Sequence, residues 1–137
     1  MQNSFESNSD ILVKKEYCQR LYSGFMQAQA LANIGHWELD LVAGTLYWSD
    51  EVYRIFGLEP QEFDATYEAF LGHIYPEDRK IVNDAYIKSL QEKRGYHIEH
   101  RIVRKNGEIG FVEERCEHEY DSDGKNKRSF GTINDIK

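Results

Sequence analysis

From Asp10 to Ile34 the chain carries no proline, and Ile11, Cys18, Phe25 and Ala32 recur every seven residues, with Leu21 and Ala28 between them. That spacing predicts an amphipathic helix over residues 10–34 with a stripe like a coiled-coil seam. Ser9 or Asp10 offers a side-chain oxygen to its first turn, and Gly35 is placed to end it. Lys14 interrupts the second apolar row, while Lys15, Gln19, Gln29 and Asn33 mark a wet face. Residues 1–9 are polar and are expected to be disordered. The stripe holds too few heptads to stand alone. It covers either the domain's own sheet or a second copy, and Ile11, Cys18, Leu21 and Phe25 are the dimer-helix positions.

Beyond Gly35 the period changes. Trp37, Leu39 and Leu41 alternate with polar residues, a half-buried strand, and Ala43-Gly44 turns the chain into a second strand at Thr45–Trp48. Ser49, with Asp50 and Glu51 behind it, predicts a short capped helix burying Val52, Ile55 and Phe56 and ending at Gly57. Thr66 opens another, with Tyr67, Phe70, Leu71 and Ile74. Pro76-Glu77-Asp78 starts a longer helix to about Lys93, with Ile81, Val82, Ala85, Tyr86 and Leu90 inward and Gly95 at its end. The last third reads as strand: Tyr96 to Arg104, an Asn106-Gly107 turn, Ile109 to Tyr120, an Asp121–Gly124 turn, then Lys127 to Ile136. Five antiparallel strands with helices on one face make an α+β fold, and residues 35–137 form its one domain.

The 137 residues carry a net charge of −7, with the Lys and Arg scattered. A nucleic-acid binder needs a basic stripe, and none is present. No run approaches the ~18 apolar residues of a membrane span, and the polar start lacks the order of a secretory signal. A cytoplasmic location is therefore the expectation. Cys18 and Cys116 have no metal-ligand spacing and read as free thiols. His97 and His100 point to opposite faces of a strand, and His36 with Glu38 supplies only two ligands, so no metal site is expected.

Several runs carry a resemblance. Gly35-His36-Trp37-Glu38-Leu39-Asp40, Tyr47-Trp48-Ser49 and Tyr53-Arg54-Ile55-Phe56-Gly57 resemble the opening half of bacterial PAS sensor domains. Tyr75-Pro76-Glu77-Asp78-Arg79 is similar to their H-P-E-D-R helix start, and Arg104-Lys105-Asn106-Gly107-Glu108 to their hairpin. Gly131-Thr132-Ile133-Asn134-Asp135-Ile136 is similar to their closing strand, with Lys137 where the family has Thr. The six runs follow the family's order and cover about residues 30–137. The resemblance implies a module that senses a ligand, redox state or light, or that dimerises, and relays the change to an attached diguanylate cyclase or histidine kinase. Neither a nucleotide-binding glycine loop nor a helical phospho-acceptor histidine is expected, the five histidines falling in loops or strands.

The candidate site lies on inward strand faces. His100 sits between Ile98 and Ile102, and Glu114 between Val112 and Cys116. If those neighbours mark the face beneath the helices, His100, Glu114 and Cys116 line a common ligand-binding cavity, where a buried carboxylate needs a partner. If the strand twists, one or both reach solvent. The flavin-linked branch of the family uses an N-C-R-F run, and residues 49–94 contain no cysteine. The haem branch uses a histidine on the long helix, which has none, His73 before it being the remote alternative. Neither cofactor is expected. Asp135 is positioned to pair with Arg101 or Arg104, a junction where the chain leaves the sheet. Three functions remain open: a sensory module, a pure dimerisation adaptor, and a small enzyme using His100 and Glu114 as acid and base.

Overall fold

The computed structural model describes residues 7–136. The expected disorder of the N-terminus falls mainly on residues 1–6, outside the described residues, as does Lys137. Ten elements follow in order: α1 (Asn8–Ala32), β1 (Ile34–Asp40), β2 (Thr45–Trp48), α2 (Asp50–Ile55), α3 (Tyr67–His73), a 3-10 turn (Pro76–Asp78), α4 (Arg79–Glu92), β3 (Tyr96–Val103), β4 (Ile109–Tyr120) and β5 (Asn126–Ile136). The sheet is antiparallel with strand order β2-β1-β5-β4-β3, so the first and last strands pair at its middle. Trp37, Trp48, Val52, Phe56, Phe70, Ile74, Val82, Ile102, Val112, Cys116 and Ile133 form the core between the sheet and α2–α4.

Four local readings need correction. The first helix starts two residues early, because Ser7 is its cap and Ser7 Oγ accepts from the Asp10 N–H at 3.1 Å. It ends on Asn33, whose φ of 57° supplies the left-handed cap expected of Gly35. Gly35 instead sits buried in β1, where a Cβ would lie 2.8 Å from the Val52 backbone nitrogen. Lys93, at φ 53°, likewise ends α4 in place of Gly95. Ser49 stands at the N-cap position of α2, but its Oγ donates to Gln29 Oε1 at 2.7 Å and accepts from the His36 N–H at 2.9 Å and makes no bond to the helix.

That Gln29–Ser49 bond fastens α1 to the domain. Gln29 is the only buried residue of α1, and its larger apolar side chains are about half exposed, Ile11 at 51%, Leu21 at 55% and Phe25 at 49%, with Met26 intermediate. The intramolecular covering expected of the stripe is therefore confined to the last turns, where the Phe25 ring meets His36 edge-on at 6.0 Å. On α4 Val82 and Ser89 are buried and Ala85, Tyr86 and Leu90 half-buried, so of the expected inward positions only Ile81 is exposed.

The Gly35–Val52 approach lets α2 lie directly on β1. Replacing Gly35 with Ala puts a methyl into backbone that cannot move aside. The variant is expected to lose about 2–3 kcal/mol of stability, read as a lower urea midpoint at unchanged slope.

Candidate functional site

The inner face of β4 is set by strict alternation: Val112, Glu114, Cys116, His118 and Tyr120 point beneath the helices, and Glu113, Arg115, Glu117 and Glu119 away from them. β3 does the same with His100 and Ile102. The sheet brings His100 and Glu114 together. His100 Nε2 lies 3.2 Å from Glu114 Oε1, and the residues are 4% and 2% exposed. The Tyr96 hydroxyl donates to Glu114 Oε2 at 3.3 Å, and His100 Nδ1 stands 3.3 Å from the Arg101 carbonyl. Burial and the neighbouring carboxylate push the Tyr96 hydroxyl far above its ordinary range, so it stays a donor. Burial pushes the Cys116 thiol up to about 12. It is a protonated thiol at neutral pH, not a nucleophile.

Over Glu114 lies a small cavity of about 30 Å³, lined by Trp37, Leu39, Leu46, Trp48, Tyr67, Phe70, Tyr86, Tyr96, Glu114 and Ile133. Such a space holds about two waters. Cys116 is not among its lining residues, and His100 reaches it only through Glu114. Leu39, Leu46, Trp48 and Tyr67 also face an open groove of about 570 Å³ on the β2 side, whose rim includes Gln61, Asp64 and Glu68. These four side chains partition the cavity from the groove. Tyr67 is held by a bond from its hydroxyl to Asn83 Oδ1 at 2.7 Å, and burial raises it to about 12.

A second buried network escaped the sequence reading. His118 Nδ1 lies 2.8 Å from Ser129 Oγ and His118 Nε2 lies 2.8 Å from Ser89 Oγ. The Tyr86 hydroxyl reaches Ser129 Oγ at 3.0 Å, so α4 is stitched to β4 and β5. Burial lowers the His118 pKa, which keeps the ring neutral. Extending the β4 alternation two residues past Cys116 was the available signal.

Arg101 does not pair with Asp135. Its backbone N–H, Nε and NH2 all donate to Asp78, at 2.8, 3.0 and 2.7 Å, locking the 3-10 turn onto β3. The reason is positional: Arg101 leans toward the start of α4, while Arg104, just past the end of β3, reaches over Gly110 of β4 to β5. Arg104 NH2 donates to both Asp135 oxygens at 3.2 Å, and Arg104 Nε to the Ile55 carbonyl at 3.0 Å. Cys18 is exposed with the rest of the α1 stripe. His73 closes α3 instead of lying in a loop, its Nδ1 2.7 Å from the Ala69 carbonyl and its ring stacked on Phe63. Among the described residues no three His, Cys, Asp or Glu side chains converge on a metal position, and no helix is long and apolar enough to cross a membrane.

With this geometry in view, the comparisons with known proteins agree. A family model described as PAS fold matches residues 45–133. The chain belongs to the PAS family. It is 29% identical over 106 residues to a blue-light-activated histidine kinase of Brucella anthropi, 77% of this chain and 21% of the relative. To the sensor protein FixL of Bradyrhizobium diazoefficiens it is 27% identical over 103 residues, 75% and 20%. The chain thus spans about a fifth of these relatives' length. Among solved structures, a sensory box histidine kinase/response regulator from Burkholderia thailandensis superposes with a TM-score of 0.68 at 27% identity, covering 82% of this chain and 83% of that one. The N-terminal domain of a diguanylate cyclase with PAS/PAC sensor from Marinobacter aquaeolei shares the fold, with a TM-score of 0.68 at 15% identity over 75% of this chain and 94% of that one.

A light-oxygen-voltage receptor also shares the fold, with a TM-score of 0.67 at 22% identity over 74% of this chain and 29% of that one, as does a light-oxygen-voltage domain described with a flavin analogue, with a TM-score of 0.60 at 15% identity over 83% and 85%. Whether this cavity suits a flavin is decided by its own lining. The cavity does not fit one. Its 30 Å³ is far below the ~300–1,000 Å³ of a cofactor pocket, and both cysteines lie outside its lining. His73, the remote haem candidate, is likewise outside the cavity lining and committed to Phe63 and Ala69.

The Asp78 carboxylate is held below its usual range chiefly by the hydrogen bond from Arg101. A group depressed in the folded state stabilises it above its unfolded pKa, and that contribution is lost as pH falls through the folded value. Asp78→Asn is expected to cost about 1–3 kcal/mol at pH 7. The gap to the unmodified protein should narrow as urea titrations move from pH 7 to below pH ~4.

Proposed function

We propose that this PAS domain is a cytoplasmic sensory input module, reading a small molecule in the cavity above Glu114 and relaying its presence to an attached histidine kinase or diguanylate cyclase. The observation that carries this reading is the buried Glu114 carboxylate. A carboxylate costs several kcal/mol to desolvate, and here it stands at the floor of an aromatic cavity with oxygens facing Tyr96 and His100. Natural cores seldom retain such a group without a use for it. His100, lying behind Glu114, orients it; Cys116 packs beneath them as an apolar thiol. The relatives' names, a blue-light-activated kinase and a sensor protein, support the input role. The enzyme reading is weaker, because His100 and Glu114 are both sealed from solvent.

At the exit of the sheet, Arg104 holds Asp135, Glu108 and the Ile55 carbonyl together. This is the junction we assign for relay, with Arg101 serving the Asp78 anchor instead. The exposed stripe Ile11, Leu21 and Phe25, with Cys18 beside it, supports pairing of two copies through α1. A dimer without any ligand is the adaptor reading, favoured by that same stripe.

Thermal-shift screening of the purified chain against small molecules tests the sensor reading. A ligand at a hundred times its Kd is expected to add ~2.7 kcal/mol, and Leu46→Trp, which fills the cavity from β2, should abolish the shift. A bare mass by native mass spectrometry together with no shift from any compound would leave the adaptor. Separately, a Leu21→Glu/Phe25→Glu double variant should run as a monomer in analytical ultracentrifugation where the unmodified chain runs as a dimer. Equal sedimentation of the two would remove α1 from the interface.

A further inference from the structure

Resting on the proposal that the cavity above Glu114 is a ligand site, the chemistry of its walls narrows what enters it. The walls are almost wholly apolar: two Leu, one Ile and six aromatic rings surround a single carboxylate. Tyr67, Tyr86 and Tyr96 have their hydroxyls engaged elsewhere, with Asn83, Ser129 and Glu114. One donor does not. Trp37 is 7% exposed, and its buried Nε1–H has no partner among the described residues. Its indole lies over Gly131, with Cζ2 3.0 Å from where a Cβ would stand. It therefore leans from β1 across β5 toward β4, the strand of Glu114. A buried N–H left unpaired loses its hydration without compensation, so the site is short of one acceptor.

Charge then decides between ligand classes. An anion would face Glu114 inside and Asp64 and Glu68 at the groove, with neither Lys nor Arg in either lining. A cation fares no better. Both His100 nitrogens stand against acceptors, Arg101 O at 3.3 Å and Glu114 Oε1 at 3.2 Å. Glu114 Oε1 faces His100 and Glu114 Oε2 faces the Tyr96 hydroxyl, so both carboxylate oxygens already have a protein partner. A cation would also leave the Trp37 N–H opposed by positive charge. A neutral group that both accepts and donates satisfies both ends.

We propose that the ligand is an uncharged molecule that places a hydroxyl or primary amide between Trp37 Nε1–H and Glu114, its apolar body passing between Leu46 and Tyr67 into the groove. The Trp37 N–H donates to the ligand oxygen, and the ligand O–H or N–H donates to a free lone pair of Glu114. The 30 Å³ cavity matches the head group alone, and the groove of about 570 Å³ takes the rest. Leu46 lies on the four-residue edge strand β2, the part of the sheet with one neighbour, so the partition opens by side-chain rotation without disturbing the central strands.

Four probes with one ring and different heads test this on the purified chain: benzyl alcohol, benzamide, benzylammonium and benzoate. Thermal shifts and the Trp37 indole N–H resonance, assigned by its loss in Trp37→Phe, are followed on titration. The alcohol and the amide are expected to raise the melting temperature and move the indole resonance, with the two ions at least tenfold weaker. Trp37→Phe, which keeps a ring, should weaken the neutral probes about tenfold, and Glu114→Gln should shift preference toward the amide, with circular dichroism confirming that both variants fold. Tighter binding of either ion, or neutral binding indifferent to Trp37→Phe, would overturn the neutral-ligand assignment while leaving a ligand site. If no probe of any charge binds and Leu46→Trp changes nothing, the cavity reading falls with it.

Discussion

The pairing of β1 with β5 is the contact on which the other elements depend. Seven residue pairs, from Ile34 opposite Asn134 to Asp40 opposite Arg128, join the two ends of the domain at the middle of its sheet. β2 hangs from one side of that pair and β4–β3 from the other, so neither half has a complete inner face without it. The pairing also sets Trp37 opposite Gly131, and Glu114 opposite Ile133 on the far side of β5. Every wall of the cavity is positioned from this seam. It extends past the strand itself, where the Asp135 N–H donates to the Asn33 carbonyl at 3.0 Å and the incoming and outgoing chain meet.

Polar groups inside this core are handled by shared partners. Glu114 is held by His100 and Tyr96, Ser129 by His118, Tyr86 and Asn126, and Asp78 by three donors of Arg101. Multiple bonds to one acceptor offset the desolvation that each buried group would otherwise impose. They also rigidify the sheet and α4, and the softer boundary falls on the β2 side, where side chains alone separate the cavity from the groove.

The strand alternation was legible in the sequence because a period of two leaves little freedom. Val112, Glu114 and Cys116 had to share a face, and so did Ile98, His100 and Ile102, which is why the His100–Glu114 pair could be anticipated. Helix interiors were legible from the 3.6 period, and so was the Thr66 cap of α3, but the ends of α1, the start of α2 and the end of α4 were not. Ser49 has the sequence of an N-cap, and only the arrival of Gln29 from twenty residues away turns its hydroxyl elsewhere. Arg101 and Arg104 were interchangeable on paper as partners of Asp135. Strand position decides between them, since Arg101 lies opposite Phe111 within the β3–β4 ladder and Arg104 lies beyond its end. The orphaned Trp37 N–H had no sequence signal, because an unpaired donor is defined by what surrounds it.

The 25-residue α1 is attached almost at its end. From Gln29 back to Asn8 the helix runs about 31 Å at 1.5 Å per residue, and Gln29 is the one residue it buries. Geometrically this is a long arm on a short bearing. A tilt of ~10° about the Gln29–Ser49 bond displaces the far tip by roughly 5 Å over that length, while the bearing itself moves by a fraction of a bond. The hydroxyl that forms the bearing belongs to Ser49, next in the chain to Trp48, whose ring is part of the cavity wall. A movement of Ser49 that tilted the bearing by that angle would be magnified at the far tip to about the pitch of a helical turn.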